Sequence, residues 1–132
     1  ILVAPDDLEG MFDARKLERV FFNLILNACE ATLEGHGSVT IDAQKTVKAF
    51  EMRIHDNGSG IPAGIQNTLF DPFVSFGKPN GTGLGLAIVS KIVQDHSGSV
   101  VVEKTSELGT TILVRLPFSE QSAFHTETSK LL

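Results

Sequence analysis

Residues 50–62 read Phe50-Glu51-Met52-Arg53-Ile54-His55-Asp56-Asn57-Gly58-Ser59-Gly60-Ile61-Pro62. Apolar and polar residues alternate from Phe50 to Ile54, the period of a strand with one buried face. Asp56 shares the parity of Phe50, Met52 and Ile54, so the pattern aims its carboxylate at the apolar side of the sheet. Asp56 to Gly60 has the composition of a turn, and Pro62 is placed to open a short helix. A carboxylate on the core side is costly without a donor. It either starts the turn by bonding its own backbone or presents an acceptor to a ligand.

The reading extends outward in both directions. Upstream, Val39, Ile41 and Ala43 alternate with polar neighbours, and residues 45–48 are polar enough to link two strands as a hairpin. Before them, residues 16–34 read as a long helix with Asp13 as its N-cap. Leu17, Val20, Phe21, Leu24, Ala28 and Ala31 form one apolar stripe. Phe22, Leu26, Cys29 and Leu33 form a second, which predicts a helix packed on two sides. A polar stripe of Lys16, Arg19, Asn23, Asn27, Glu30 and Glu34 runs between them, and Gly35 and Gly37 end the helix.

Downstream, residues 69–82 hold three Phe and two Pro with no period, the character of a functional lid. Residues 84–96 predict a helix with Ile88, Val89, Ile92 and Val93 inward. Residues 99–104 and 110–116 predict strands, and Pro117 stops the last. The expected fold is α+β: a two-layer α/β sandwich, with a mixed, mainly antiparallel sheet and helices on one face. Residues 1–12 are read as a lead-in from an upstream domain, 13–118 as the folded domain and 119–132 as a tail or linker.

Composition narrows the function. With 132 residues, 42% hydrophobic and 20% charged, the chain has the size and core of one domain. The net charge of −5 argues against a non-specific nucleic-acid binder, which needs a basic surface. One cysteine, Cys29, permits no intrachain disulfide and fits a reducing compartment. No apolar run approaches the roughly 20 residues of a membrane span, so no membrane contact is expected of this segment. The start at Ile1, without an initiator Met, is read as a fragment of a longer protein.

Four motifs bear on chemistry. Gly81-Thr82-Gly83-Leu84-Gly85-Leu86 stands just before a helix, where bare backbone and free N–H groups suit an anion or a plain flexible turn. It is not a Rossmann fingerprint, which would need Gly at position 86. Gly77-Lys78 is followed by Pro79 and so is no Walker A. Asp56 is the second, with adenine's exocyclic amino group one fitting donor. Asn23 and Asn27 form an i, i+4 pair that calls for polar partners, Mg²⁺ with a nucleotide phosphate or other structural groups. Thr110 shares parity with Ile112, Val114 and Leu116, so its hydroxyl faces inward.

Together, and in this order, these elements resemble the ATP-binding catalytic domain of bacterial sensor histidine kinases. That family shares the GHKL superfamily, and its Bergerat ATP-binding fold, with type II topoisomerases, heat-shock chaperone ATPases and mismatch-repair ATPases. Asn23-Leu24-Ile25-Leu26-Asn27-Ala28 resembles the N box and Asp56 to Pro62 the first glycine box. Leu69-Phe70-Asp71-Pro72-Phe73 resembles the F box and Gly81 to Ile88 the second glycine box. Gly109-Thr110 resembles the start of the closing strand. The resemblance spans roughly 13–117.

It implies ATP and Mg²⁺ as cofactors. Asp56 would bind the adenine amino group, helped through water by Thr110. Asn27 would ligate Mg²⁺ with Asn23 beside it, the pair serving as the catalytic residues. Gly58, Gly60 and Ile61 would shape the adenine pocket. Gly81, Thr82, Gly83, Leu84, Gly85 and Leu86 would carry the phosphates. Phe70 and Phe73 would belong to the lid, with Lys78 meeting phosphate charge. The implied enzyme is a cytoplasmic protein-histidine kinase, whose parent is membrane-anchored or soluble. Its γ-phosphoryl goes to a His on its own helical dimerisation domain and then to a response regulator. A homodimer is implied only for the full-length protein.

ATPase members and anti-sigma serine kinases carry a Glu four residues before the Mg²⁺-binding Asn, as general base. Here that position is Asn23, which suits a domain whose nucleophile lies elsewhere. Glu30 and Ala31 stand where many sensor kinases have Lys and Tyr, and residues 27–31 resemble the nitrogen-regulatory type. None of His36, His55, His96 and His125 sits on an amphipathic helix followed by an acid, as the family's acceptor does. A serine kinase of the anti-sigma type, an ATPase machine and a degenerate interaction module are the alternative readings.

Overall fold

The computed structural model describes residues 13–32, 35–74 and 85–118. The element order is α1 (Ala14–Ala31), β1 (Val39–Lys45), β2 (Ala49–Asp56), a 3₁₀ helix (Ala63–Thr68), α2 (Gly85–Asp95), β3 (Ser99–Ser106) and β4 (Gly109–Pro117). The four strands form one sheet in the order β1-β2-β4-β3. The expected α+β sandwich is present. Its sheet is not mixed among the described residues, since all three pairings are antiparallel.

Alternation builds one face of this sheet. Phe50, Met52 and Ile54 of β2 and Ile112, Val114 and Leu116 of β4 are buried against Leu17, Val20, Leu24 and Ala28 of α1 and Val89, Ile92 and Val93 of α2. These helical residues repeat at the helical period, so each helix lays one stripe on the sheet. The other sheet face is polar. Arg53 donates two hydrogen bonds to the Glu103 carboxylate, at 2.8 and 3.1 Å. His55 lies 2.8 Å from the Thr111 hydroxyl and 3.0 Å from Asp42, on the outer face as its parity predicts.

α1 starts as expected: Lys16 N–H donates to Asp13 Oδ1 at 3.2 Å. It ends at Ala31 rather than continuing to 34, because Thr32 turns to extended backbone and its hydroxyl donates to the Cys29 carbonyl at 2.8 Å. Two-sided packing of α1 is also corrected. Phe22 is 64% and Leu26 43% exposed, and Cys29 is exposed. The described residues place the sheet and α2 on the first stripe and cover the second with nothing comparable.

The helix ends are joined. His96 donates through Nδ1 to the Ile92 carbonyl at 2.8 Å and so caps the end of α2. Its Nε2 then accepts the Asp13 N–H at 3.1 Å. One imidazole closes α2 and holds the start of α1. No helix among the described residues is long and apolar enough to cross a membrane.

Candidate functional site

The end of β2 meets the last turns of α1 and the start of β4. Asp56 and Thr110 are register partners there. They line one cavity with Asn27, Gly60 and Ile61, over apolar walls that include Leu24, Ile54 and Ile112. Thr110 is buried, at 6% exposure, while Asp56 and Asn27 are half-buried. Parity alone therefore placed Asp56 and Thr110 correctly. The cavity measures about 20 Å³, room for about one water.

Asp56 combines both of its sequence readings. Oδ1 accepts the Gly58 N–H at 2.9 Å and so forms the turn. Oδ2 receives no hydrogen bond from the described residues, which leaves an acceptor for a ligand.

The glycines of this turn answer to close packing. A Cβ on Gly58 would collide with the Ala31 carbonyl oxygen at the end of α1. Gly60 has φ +84°, and its Cβ would strike the Ser106 carbonyl oxygen. Each bare backbone lets the turn press against α1 on one side and β3 on the other.

Two residues of this region were not legible in the sequence. Asn57 Oδ1 accepts the Ser38 N–H at 2.8 Å, and its Nδ2 donates to the His36 carbonyl at 2.8 Å. It clasps the α1–β1 connection to the glycine turn. Thr105 accepts the Ile61 N–H at 2.9 Å and sits 2.9 Å from the Thr110 hydroxyl. A bulge in β3 between Val102 and Lys104 turns Thr105 inward. Strict alternation from Val100 and Val102 would have pointed it out.

The other sequence candidates lie apart from this cavity. Asn23 lines a separate, more open groove with Arg15, Glu18, Arg19, Phe22 and Ile88. Its Oδ1 faces Gly85 at the start of α2. The two asparagines therefore serve neighbouring spaces. The groove is larger, but the acceptor and hydroxyl converge in the narrower cavity. Leu86 is half-buried and packs on the core. Phe70 is half-buried, Phe73 is 79% exposed with φ +67°, and neither lines the cavity; Leu69, at 1% exposure, anchors that segment. Lys78, Gly81, Thr82, Gly83 and Leu84 lie outside the described residues, as does His125. Among the described residues no three or more His, Cys, Asp or Glu side chains converge as a metal centre.

The family profile described as histidine kinase-, DNA gyrase B-, and HSP90-like ATPase matches residues 12–120. The chain belongs to this ATPase family. Within it, the chain is similar to the sensory histidine kinase/phosphatase NtrB of Rhodobacter capsulatus, 41% identical over 104 residues that cover 69% of this chain and 29% of that protein. It is also similar to the solved catalytic domain of histidine kinase ThkA, with TM-score 0.75 and 31% identity over 86% of this chain and 75% of that one. Full-length ShkA in complex with AMPPNP superposes with TM-score 0.68 and 28% identity, over 79% of this chain and 22% of that one.

The histidine-kinase branch and its nitrogen-regulatory kind, read from residues 27–31, agree with these kinships. The chain is the catalytic ATPase-type module of histidine kinases. It spans between about a seventh and a third of the length of curated relatives it matches.

Proposed function

We propose that this module binds Mg²⁺-ATP in the cavity at the β2–β4–α1 junction. As part of a two-component sensor kinase, it donates the γ-phosphoryl to a His on a separate helical dimerisation domain. The phosphoryl then passes to a response regulator. The observation that carries the reading is the convergence of an acceptor, Asp56, a hydroxyl, Thr110, and an amide, Asn27, around one apolar-walled cavity. That donor and acceptor set would suit a purine edge, with Asn27 beside it on α1.

The residues divide the work. Asp56 Oδ2 accepts the adenine amino group. The glycine turn, with Ile61, holds the base between α1 and β3. The half-buried amide of Asn27 fits Mg²⁺, which takes few protein oxygens and keeps phosphate oxygens and water as its remaining ligands. Bound there, the metal ion supplies charge neutralisation for phosphoryl transfer. Asn23 lies one turn earlier in α1, facing the start of α2. It is an amide and cannot act as a general base at neutral pH. This favours a domain that positions ATP for a nucleophile carried elsewhere.

Residues 13–118 form the catalytic unit in this reading, flanked by a lead-in over 1–12 and a tail over 119–132. It acts in the cytoplasm, and dimerisation belongs to the full-length protein. Titration calorimetry with ATP, ADP and GTP, with and without Mg²⁺, tests it. Adenine nucleotides that bind and tighten with Mg²⁺ support the proposal. Absence of binding by all three overturns it.

A further inference from the structure

Thr105 is a half-buried hydroxyl whose position depends on one extra residue in β3. Its oxygen accepts the Ile61 N–H at 2.9 Å and lies 2.9 Å from Thr110 Oγ1. A hydroxyl oxygen that already accepts a hydrogen bond donates more strongly through its own hydrogen. Among the described residues, the acceptor within reach of that hydrogen is Thr110 Oγ1. Thr110 also faces the cavity beside the Asp56 carboxylate. A neighbouring negative charge favours turning the positive end of the Thr110 hydroxyl into that cavity. Both effects run one way: Thr105 donates to Thr110, and Thr110 keeps its own hydrogen for a ligand.

The geometry points to Thr105 as the positioning residue that sets the polarity of the base pocket, holding Thr110 as a donor beside the Asp56 acceptor and so selecting adenine over guanine. This rests on the ATP reading above and adds to it. Adenine carries an amino donor at C6 and a bare ring nitrogen beside it. Guanine carries a carbonyl acceptor at C6 and an N–H at that ring position. An acceptor next to a donor matches adenine at both places, directly or through one water that passes the polarity on. Guanine meets Asp56 with an acceptor and Thr110 with a donor, and a pocket built around fixed polar groups discriminates through such unpaired contacts.

Calorimetry on the whole chain tests this with four probes: ATP, GTP, inosine triphosphate and purine riboside triphosphate. In the unmodified protein, purine riboside triphosphate keeps the ring acceptor and loses only the amino group. It is expected to bind more weakly than ATP and more tightly than inosine triphosphate. Inosine triphosphate binding as tightly as purine riboside triphosphate overturns the inference, and this comparison needs no variant to fold.

In Thr105→Val the ratio of ATP to GTP affinity is expected to narrow by about three- to tenfold, the worth of one neutral hydrogen bond. Thr105→Ser is expected to restore it. A merely structural role would weaken both nucleotides together. A Val variant that still binds ATP with the ratio unchanged overturns the assignment and leaves the ATP reading standing. If the unmodified protein binds none of the four, the ATP reading falls and this inference with it.

Discussion

The backbone N–H of Asp13 donates to Nε2 of His96 across 83 residues of sequence. Because the opposite ring nitrogen donates to the Ile92 carbonyl, the imidazole is held as the neutral tautomer with hydrogen on Nδ1. The start of α1 and the end of α2 are thereby fixed to each other, and with them the side of the site that α1 contributes.

His96→Ala removes both bonds. Each is worth about 1 kcal/mol, so the variant is expected to lose about 1–2 kcal/mol of stability. Urea denaturation at neutral pH measures this. An unchanged midpoint would show that solvent replaces the imidazole without cost.

Asp56→Asn keeps an oxygen for the Gly58 turn and exchanges the other oxygen for a donor. The fold is expected to persist. ATP binding is expected to weaken by about 1.5–3 kcal/mol, the value of a hydrogen bond to a charged group. Calorimetry showing equal affinity in the variant would remove Asp56 from the base pocket and leave it a turn residue.

Asn27→Ala is expected to abolish most of the tightening of ATP binding by Mg²⁺ while leaving the metal-free affinity nearly intact. The measurement is a pair of titrations, with Mg²⁺ and with a chelator. If Mg²⁺ tightens ATP equally in variant and parent, Asn27 holds structure and not metal.

On the outer sheet face, the hydrogen bond from Arg53 holds the Glu103 carboxyl below its ordinary value of 4.5. A carboxyl depressed in the fold stabilises the protein above its unfolded value, and that contribution is lost as pH falls through the lower, folded value. The stability difference between the parent and Glu103→Gln is expected to be present at neutral pH and to fade at acid pH. It should also shrink with salt, since the pair is exposed. Melting temperatures of both proteins across this range measure it. A difference that persists undiminished at the acid end would locate its cause outside the ion pair.

Much of this architecture is legible in alternation. Asp56 and Thr110 share their strands' buried parity, and the structure makes them register partners. The Asp13 cap and the inward stripes of both helices follow from local rules. Thr105 does not, because a bulge resets the parity that would identify it. Asn57 reads as a turn residue, and its partners near His36 and Ser38 are set by tertiary packing. The apolar row of Phe22 and Leu26 shows the opposite error. Periodicity reports which side chains are apolar and carries no information on whether a neighbour arrives to cover them. Residues 75–82 of the segment read as a lid, and residues 81–84 of the second glycine motif, lie outside the described residues.

The irregularity in β3 has a second effect, on association between molecules. Among the described residues β3 is an edge strand, paired with β4 alone, and it carries the partly exposed Val101. A flat edge of this kind templates strand addition by another chain and, from there, aggregation. The shift between Val102 and Lys104 interrupts the row of outward N–H and C=O groups, and Lys104 sets a charge beside the break. The extra residue that turns Thr105 toward Thr110 thus also breaks the edge at which another chain would add.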